Sequence, residues 1–547
     1  MSVVVETGIE DARNDEYPNV LISCMSFNDG TALELEPGSI VVFTGANNSG
    51  KSQALRDIEN YFDESKRKLS VVVKQLECTY SGTIGESFLR KFFFVNEHGY
   101  LEPYDRGGSY DGGSLLYDWN NQKLPDVLRR LLVKRISTEM RLVASNSLSR
   151  NDPNAAEHPI FKMMKSERLA KSVSNYFRQA FGEDLVVDRS ELRTISLHVG
   201  TAPIKTEYTI ETQDEYYEIV GKLPKLQEQG DGMRSFASIL LNAFTSEFCI
   251  TLIDEPEAFL HPPQARILGK MFARNNPENR QLIISTHSED FLQGLLDADS
   301  ENVTIVRINR SNDVNRMSPL ANGKIRELWT NPILRYSNIL SGLFHEKVVV
   351  CESDYDCLFY QAIMNAIFES KGEIAPDILF THCGGKTRAK DIVRGLKAVN
   401  VPVVAICDFD LLDSGHVFRP LIEACGVRWD EVLSRGMKDI YDSMNAKSSN
   451  GNDAWKMVKK IGKAGFEGCE PAAYERVEAI CRSVGLYVVP CGEMECFDKT
   501  INKDKKDWVY YVLENYDLAV EPKMNEAREF VLDIVNYKPP SALEPGA

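Results

Sequence analysis

The stretch that most restricts the fold lies at residues 39–52, where an unbroken apolar run, Ser39-Ile-Val-Val-Phe-Thr44, gives way to Gly45-Ala-Asn-Asn-Ser-Gly-Lys-Ser52. The run reads as a buried strand, and the octapeptide after it has the pattern GxxxxGKS, a glycine-rich turn opening a helix. A phosphate chain needs several hydrogen-bond donors at close range. Glycine lets the backbone N–H groups of such a loop, here Gly45, Asn47, Asn48, Ser49 and Gly50, face inward while the helix N-terminus points at the anion. Lys51 is then expected to contact the β- and γ-phosphates, and the Ser52 hydroxyl to ligate Mg²⁺. The competing reading is a plain polar turn between a strand and a helix.

Two later strands corroborate the phosphate reading. Phe248-Cys-Ile-Thr-Leu-Ile253 ends in Asp254-Glu255-Pro256-Glu257, which supplies a Mg²⁺ partner in Asp254 and a base to orient an attacking water in Glu255. Gln281-Leu-Ile-Ile-Ser-Thr-His287 then ends a third strand on a histidine able to sense a γ-phosphate.

The stretches GANNSGKS, LIDEPEAFLHP and IISTH together resemble the ATPase head of the ABC class, in the branch shared by SMC-like, RecF-like and OLD-family proteins. The resemblance implies ATP closed between two heads, and so a homodimer or a higher even-numbered oligomer. It also implies a signature loop ahead of the Walker B strand. Gly230-Asp-Gly-Met-Arg234 stands in that place, so Gly230, Asp231 and Gly232 are expected to face nucleotide across the dimer. Gly230 replaces the serine that touches the γ-phosphate in the family pattern, which implies ATP binding with slow hydrolysis.

Residues 118–190 carry no catalytic pattern and read as a helical insertion. From Leu124 to Phe181 the period is helical, with Leu128, Leu131, Leu132 and Ile136 on one face and Arg129, Arg130, Lys134 and Arg135 interleaved. That face could pack on its own domain or on a second subunit, and the charged residues read as a solvated side. The head is expected to end near Tyr336, giving domains 1–336 and 345–547.

In the second half, apolar strands end in acid. Lys347-Val-Val-Val-Cys351 delivers Glu352, and Val401 to Cys407 delivers Asp408 and Asp410. Between them lie a helical stripe, a strand over Ile378 to His382, the turn Gly384-Gly385-Lys386 and a second helix. This β-α-β-α-β order predicts a parallel sheet, whose active sites collect at the carboxyl ends of the strands. Carboxylates so close together repel unless a cation neutralises them, and Mg²⁺ or Mn²⁺ suits an all-oxygen site.

Glu352 followed by Asp356, then Gly384-Gly385-Lys386, then Asp408-Phe-Asp410, resembles the Toprim fold. The resemblance makes Glu352, Asp356, Asp408 and Asp410 metal ligands. It adds Glu493 and Glu495, after the strand at Leu486, as candidates for a second metal. An ABC-type head ahead of a Toprim domain is the architecture of the OLD family, which includes Gabija-type and retron-associated defence nucleases. The expected fold is therefore α/β, an ABC-type P-loop ATPase head with a helical insertion followed by a Rossmann-like Toprim domain. The family implies ATP-regulated, metal-dependent cleavage of DNA, with a basic residue near the scissile phosphate. Lys523 stands in that relative position, ahead of the cluster Lys503, Lys505 and Lys506. A retron reverse transcriptase with its DNA, or a helicase-like protein, is the kind of partner the family suggests. The alternative is a nucleotide-controlled sensor or assembly protein whose Toprim domain binds nucleic acid without cleaving it.

Composition bears on location and partners. The 547 residues exceed what one core usually supports, and a net charge of −17 argues against a uniformly basic nucleic-acid coat while leaving room for a local groove. Twelve cysteines without a CxxC pair read as reduced thiols of a cytoplasmic protein. No basic-then-apolar leader opens the sequence, and the apolar segment Phe236 to Ile253 is interrupted by Asn242, Thr245, Ser246 and Glu247, so no membrane span is expected.

Overall fold

The structure, a computed structural model, describes residues 17–539 apart from 64–65, 68–69, 105–107, 152–157, 190, 192, 202–217, 246–247, 299, 312–313, 321–328, 331–338, 414, 447–455, 457 and 467–470. Two compact units divide the chain, one formed by residues 1–44 and 48–322, the other by 323–547 with Gly45–Asn47. The expected boundary at Tyr336 lies outside the described residues.

The first unit is built on a six-stranded sheet in the order Val314–Leu320, Val303–Ser311, Ile40–Thr44, Gln281–Ser285, Ile250–Asp254, Val133–Ile136. All neighbours run parallel except the outer hairpin of Val303–Ser311 with Val314–Leu320. Ile40–Thr44 and Gln281–Ser285 are buried at every position, the pattern of strands covered on both faces. Helix Lys51–Tyr61 and the antiparallel sheet of Ala32–Glu34, Asn19–Phe27 and Val73–Ser81 contribute Ala54, Leu55, Ile58, Val20, Ile22 and Leu76 to the same core.

The described residues of 118–190 are mainly helical, but the register expected across Leu132 breaks. Asp126–Leu132 is a helix, whereas Val133–Ile136 is extended and pairs parallel with Ile250–Ile253 as the edge strand of the central sheet. Val133 and Ile136 are buried and β-branched, and Lys134 and Arg135 between them are half-buried, which suits an edge strand better than a helical turn. The apolar segment from Phe236 to Ile253 divides between helix Asp231–Thr245 and strand Ile250–Asp254. Among the described residues no helix is long and apolar enough to cross a membrane.

The second unit is a four-stranded parallel sheet in the order Ile378–His382, Lys347–Cys351, Val403–Cys407, Leu486–Val488. Helices Asp354–Ser370, Lys505–Asn515 and Asn525–Asn536 share a core around Phe359, Tyr360, Trp508 and Phe530. Lys347 is buried at the start of its strand, and its ammonium donates to the carbonyls of Ile534 at 2.9 Å, Val535 at 2.7 Å and Tyr537 at 2.7 Å. A cation on the last carbonyls of a helix satisfies groups that have no partner within it. This tie docks the C-terminal helix on the sheet and so fixes the layer behind the acid-bearing strand ends.

Candidate active sites

Strand register builds the first site. Asp254 lies opposite Ser285, and Ser285 opposite Phe43, so three parallel strands end together. Asp254 Oδ1 accepts from the Ser52 hydroxyl at 2.9 Å and from the Ser285 hydroxyl, and Arg135 reaches Asp254 Oδ2 at 3.4 Å. The serine and aspartate expected to share a Mg²⁺ are thus hydrogen-bonded to each other, and Arg135 is turned inward to Asp254 and Glu59.

The loop itself carries left-handed backbone at Asn48 (φ 59°) and positive φ at Gly45 (141°) and Gly50 (106°). The Asn315 side chain donates to the Ser49 carbonyl, and a Cβ on Gly50 would lie 2.7 Å from that amide nitrogen. Gly50 is therefore fixed by conformation and by clearance. Lys51 is buried, with its ammonium 3.5 Å from Ser49 Oγ.

Glu255 holds φ 47°, unusual for a residue with a side chain, and its surroundings maintain it. Its N–H donates to the Ser285 carbonyl at 2.9 Å. Fully buried Arg141 donates to the carbonyls of Glu255 at 2.9 Å and Asp254 at 3.0 Å and to Thr138 Oγ1 at 2.7 Å. The Glu255 carboxylate lies 3.6 Å from His287 Nε2. Burial, reinforced by the Lys51 charge, pushes the His287 imidazole down to about 4, so it is neutral near pH 7 and offers a hydrogen bond, not a charge. Glu257, raised by burial, accepts from the Thr286 hydroxyl and the His287 N–H, each at 2.8 Å, and so orients the histidine segment.

Gly230 precedes helix Asp231–Thr245, and a Cβ on Gly232 would meet the Phe259 carbonyl at 2.7 Å, so the loop packs directly on the segment after the Walker B strand. Asp231 is paired with Arg234 at 3.1 Å, and Arg234 also donates to the Leu142 carbonyl at 2.8 Å. The Asp231 carboxylate is thus paired within its own helix.

In the second unit the acids stand at the carboxyl edge of the parallel sheet. Glu352 follows Lys347–Cys351, and its Oε1 accepts the backbone N–H of Asp408 at 2.9 Å, which joins two strand ends. Asp408 is buried, and burial, with Glu352 and Asp356 adding repulsion against Lys505, raises its carboxyl well above the usual range. Burial raises Glu352 as well, with Asp410 adding to the shift against the Asp408 N–H. Burial also raises Glu495.

Three lysines face these acids. Lys505 Nζ lies 2.9 Å from Asp356 Oδ1 and 4.0 Å from Asp408 Oδ2. Lys386 Nζ lies 3.0 Å from Asp410 Oδ2. Lys459 Nζ lies 3.3 Å from Glu493 Oε2, 3.7 Å from Asp410 Oδ2 and 4.0 Å from Asp408 Oδ2. Lys386 and Lys505 are each the first residue of a helix, where a cation opposes the helix dipole. The acid cluster, not helix stability, accounts for their placement.

Asp356 has a second task. Its Oδ2 accepts from the Ser353 N–H and hydroxyl, both at 2.9 Å, completing a capping box on helix Asp354–Ser370. Lys523 is placed differently from the expectation. It donates to Thr500 Oγ1 at 2.8 Å, Asp498 Oδ2 at 3.1 Å and the Tyr516 hydroxyl at 3.3 Å, and none of the six acids is among its partners. The reason is local, since Asp498 and Tyr516 form a polar cup on the same face. Lys505, from the cluster set second to Lys523, is the C-terminal lysine that meets the acids.

The donor set fits hard divalent cations. All six side chains offer carboxylate oxygen, and Asp410 Oδ1 and Glu495 Oε2 are buried without a hydrogen-bond partner. Six carboxylates against three ammonium groups leave three formal negative charges. Among the described residues no three acidic, imidazole or thiol groups stand together as a ready-made ligand shell, and the ammonium of Lys459 lies between the acids.

Several residues here carried no sequence signal. Ser285, Arg141 and Asn315 reach the first site from other elements, and Lys459 reaches the second. Lys386 was legible as part of the Gly384-Gly385-Lys386 turn but not as a partner of Asp410.

Comparison with known proteins finds family matches in two separate parts of the chain. Residues 221–292 match the family described as "AAA domain, putative AbiEii toxin, Type IV TA system". Residues 343–410 match "Overcoming lysogenization defect protein-like, TOPRIM domain". The comparison with curated proteins returns no match. Similar solved structures include an SMC head bound to the C-winged helix domain of ScpA, at 12% identity over 57% of this chain and 99% of that one, with a TM-score of 0.30. A second is an SMC head with an extended coiled coil bound to the C-terminal domain of ScpA derived from Pyrococcus furiosus, at 10% identity over 57% and 98%, with a TM-score of 0.33. A third is the SMC head domain from Thermotoga maritima, at 12% identity over 55% and 97%, with a TM-score of 0.29.

Proposed function

For a chain that is an ATPase–Toprim protein of the OLD (overcoming lysogenization defect) family, we propose ATP-regulated, divalent-metal-dependent cleavage of DNA phosphodiester bonds by the Toprim domain. The observation that carries the reading is the half-buried acid cluster at the parallel-sheet edge, in which Asp356 and Asp408 are buried and one carboxylate oxygen each of Asp410 and Glu495 has no hydrogen-bond partner. Divalent cations, Mg²⁺ or Mn²⁺, would there supply an activated water and neutralise the departing oxygen. Glu352, Asp408 and Asp410 hold that charge from adjoining strand ends, Glu493 and Glu495 from the following loop, and Asp356 from a helix it also caps. Lys505, beside Asp408, is placed to pair with a non-bridging phosphate oxygen of the bound strand. Lys523 would require release from Asp498 to do the same.

In the head, Lys51 and the loop N–H groups of Gly45, Asn47, Asn48, Ser49 and Gly50 bind the phosphates of ATP. Ser52 and Asp254 would hold its Mg²⁺, Glu255 would orient water, and neutral His287 would contact the γ-phosphate. Gly230, Asp231 and Gly232 meet the nucleotide of a second copy. The resemblance to OLD-family defence nucleases supports a cytoplasmic role in defence against phage, with DNA as substrate and a second defence protein as partner. Incubating the purified chain with supercoiled plasmid and Mn²⁺ or Mg²⁺, with and without ATP, tests the proposal. Relaxed or linear product that EDTA abolishes is expected, and intact plasmid under every condition favours the non-cleaving sensor.

A further inference from the structure

Lys459 has a position unlike that of the other two lysines in the cluster. Lys386 and Lys505 each begin a helix beside the site, whereas Lys459 comes from residues 458–461 and lies among Glu493, Asp410 and Asp408, at 3.3, 3.7 and 4.0 Å. These acids come from two different strand ends, and an ammonium among them stands where a hard cation would bind.

The backbone holds it there. A Cβ on Gly492 would lie 1.9 Å from the Lys459 carbonyl, and one on Gly462 would lie 2.0 Å from the Pro490 carbonyl. The Lys463 N–H donates to that Pro490 carbonyl at 2.9 Å, and the Gly492 carbonyl accepts the Phe409 N–H at 2.8 Å. The segment carrying Lys459, the loop delivering Glu493 and the turn carrying Asp408 and Asp410 are thus stitched into one unit. Asp410 Oδ2 is shared by Lys386 at 3.0 Å and Lys459 at 3.7 Å, while Oδ1 is buried without a hydrogen-bond partner.

We propose that Lys459 is a tethered counter-ion: its ammonium holds the space between Asp408, Asp410 and Glu493 and competes there with a divalent cation, so it sets the concentration at which the Toprim site loads. The proposal rests on the reading of the cluster as a cation site. A single charge held by the chain stabilises the acids when no metal is bound, and a double charge from solution must displace it. Side-chain exposure of 36% gives Lys459 a way out, and the displaced ammonium is free to pair with an anionic substrate.

Calorimetric titration of the nucleotide-free, full-length protein with MnCl₂ tests this directly. Lys459→Met should tighten apparent Mn²⁺ affinity by about tenfold or more, since a like charge beside the cation is removed. Lys459→Arg should bind as the wild type does, and Asp408→Ala should bind more weakly. Equal affinity in the wild type and Lys459→Met would overturn the counter-ion assignment and leave the cation site standing. Binding unchanged by Asp408→Ala would instead remove the cation site itself. A second variant, Lys459→Gln, keeps a polar group and allows a thermal readout, because a bound ion raises the melting temperature with its affinity. A larger Mn²⁺-induced shift than in the wild type is expected, and an equal or smaller one overturns the proposal.

Discussion

At the level of single residues, the two sites use charge in opposite ways. In the head, His287 is kept neutral by burial and Lys51, with its pKa lowered to about 4. The folded chain therefore stays unprotonated at His287 while an unfolded chain gains a proton near the usual histidine value, so stability is lost as pH falls from about 6.5 towards 4. His287→Gln should flatten that part of the stability profile in denaturant titrations at stepped pH, and an unchanged slope would contradict the assignment. In the Toprim unit the carboxyls of Asp408 and Glu352 are raised, mainly by burial. Asp408→Asn should therefore stabilise the metal-free protein at pH 7 and abolish the rise in melting temperature with Mn²⁺. The lysines separate in the same way. Lys505→Ala removes a partner of Asp356 and Asp408, whereas Lys523→Ala opens the cup formed by Asp498, Thr500 and Tyr516. Plasmid cleavage should fall more steeply in Lys505→Ala, and the reverse order would return the phosphate-facing role to Lys523.

Among elements, the strands that end in chemistry were legible because each is a short apolar run stopped by glycine or acid. Ile40–Thr44, Lys347–Cys351 and Val403–Cys407 lie within a residue or two of their expected limits. Val133–Ile136 was not legible, because two apolar residues flanking Lys134 and Arg135 fit a helical stripe as well as an edge strand. Arg141, Asn315 and Lys459 were invisible for a different reason. Each acts on a partner distant in sequence through a carbonyl or a carboxylate, and such a partner leaves no periodic trace. Lys347 shows what an element tie of this kind does. Replacing it with Met would remove the ammonium from three carbonyls at and just past the end of helix Asn525–Asn536, of which only that of Ile534 keeps a backbone donor, the Tyr537 N–H, a loss of about 2 kcal/mol. Urea denaturation should show that loss, and an unchanged midpoint would mean that water replaces the ammonium.

Across the full chain, an ATPase head is followed by a Toprim domain, and each half of the proposed function makes a separate demand. The proposed contact of the 230–232 loop with nucleotide on a second copy requires an even number of chains, so light scattering should give a dimer or larger even assembly, and a monomer with and without ATP would count against the pairing. The proposed cleavage depends on the acids at the Toprim sheet edge, and assay of supercoiled plasmid with a Glu352→Ala, Asp408→Ala double variant puts that dependence to the test. With Mn²⁺ present, cleavage should fall by orders of magnitude while ATP binding by the head persists, because the cation that supplies both nucleophile and charge stabilisation is no longer held. A double variant that still cleaves plasmid at the wild-type rate, purified free of contaminating nuclease, would contradict a metal-dependent Toprim nuclease.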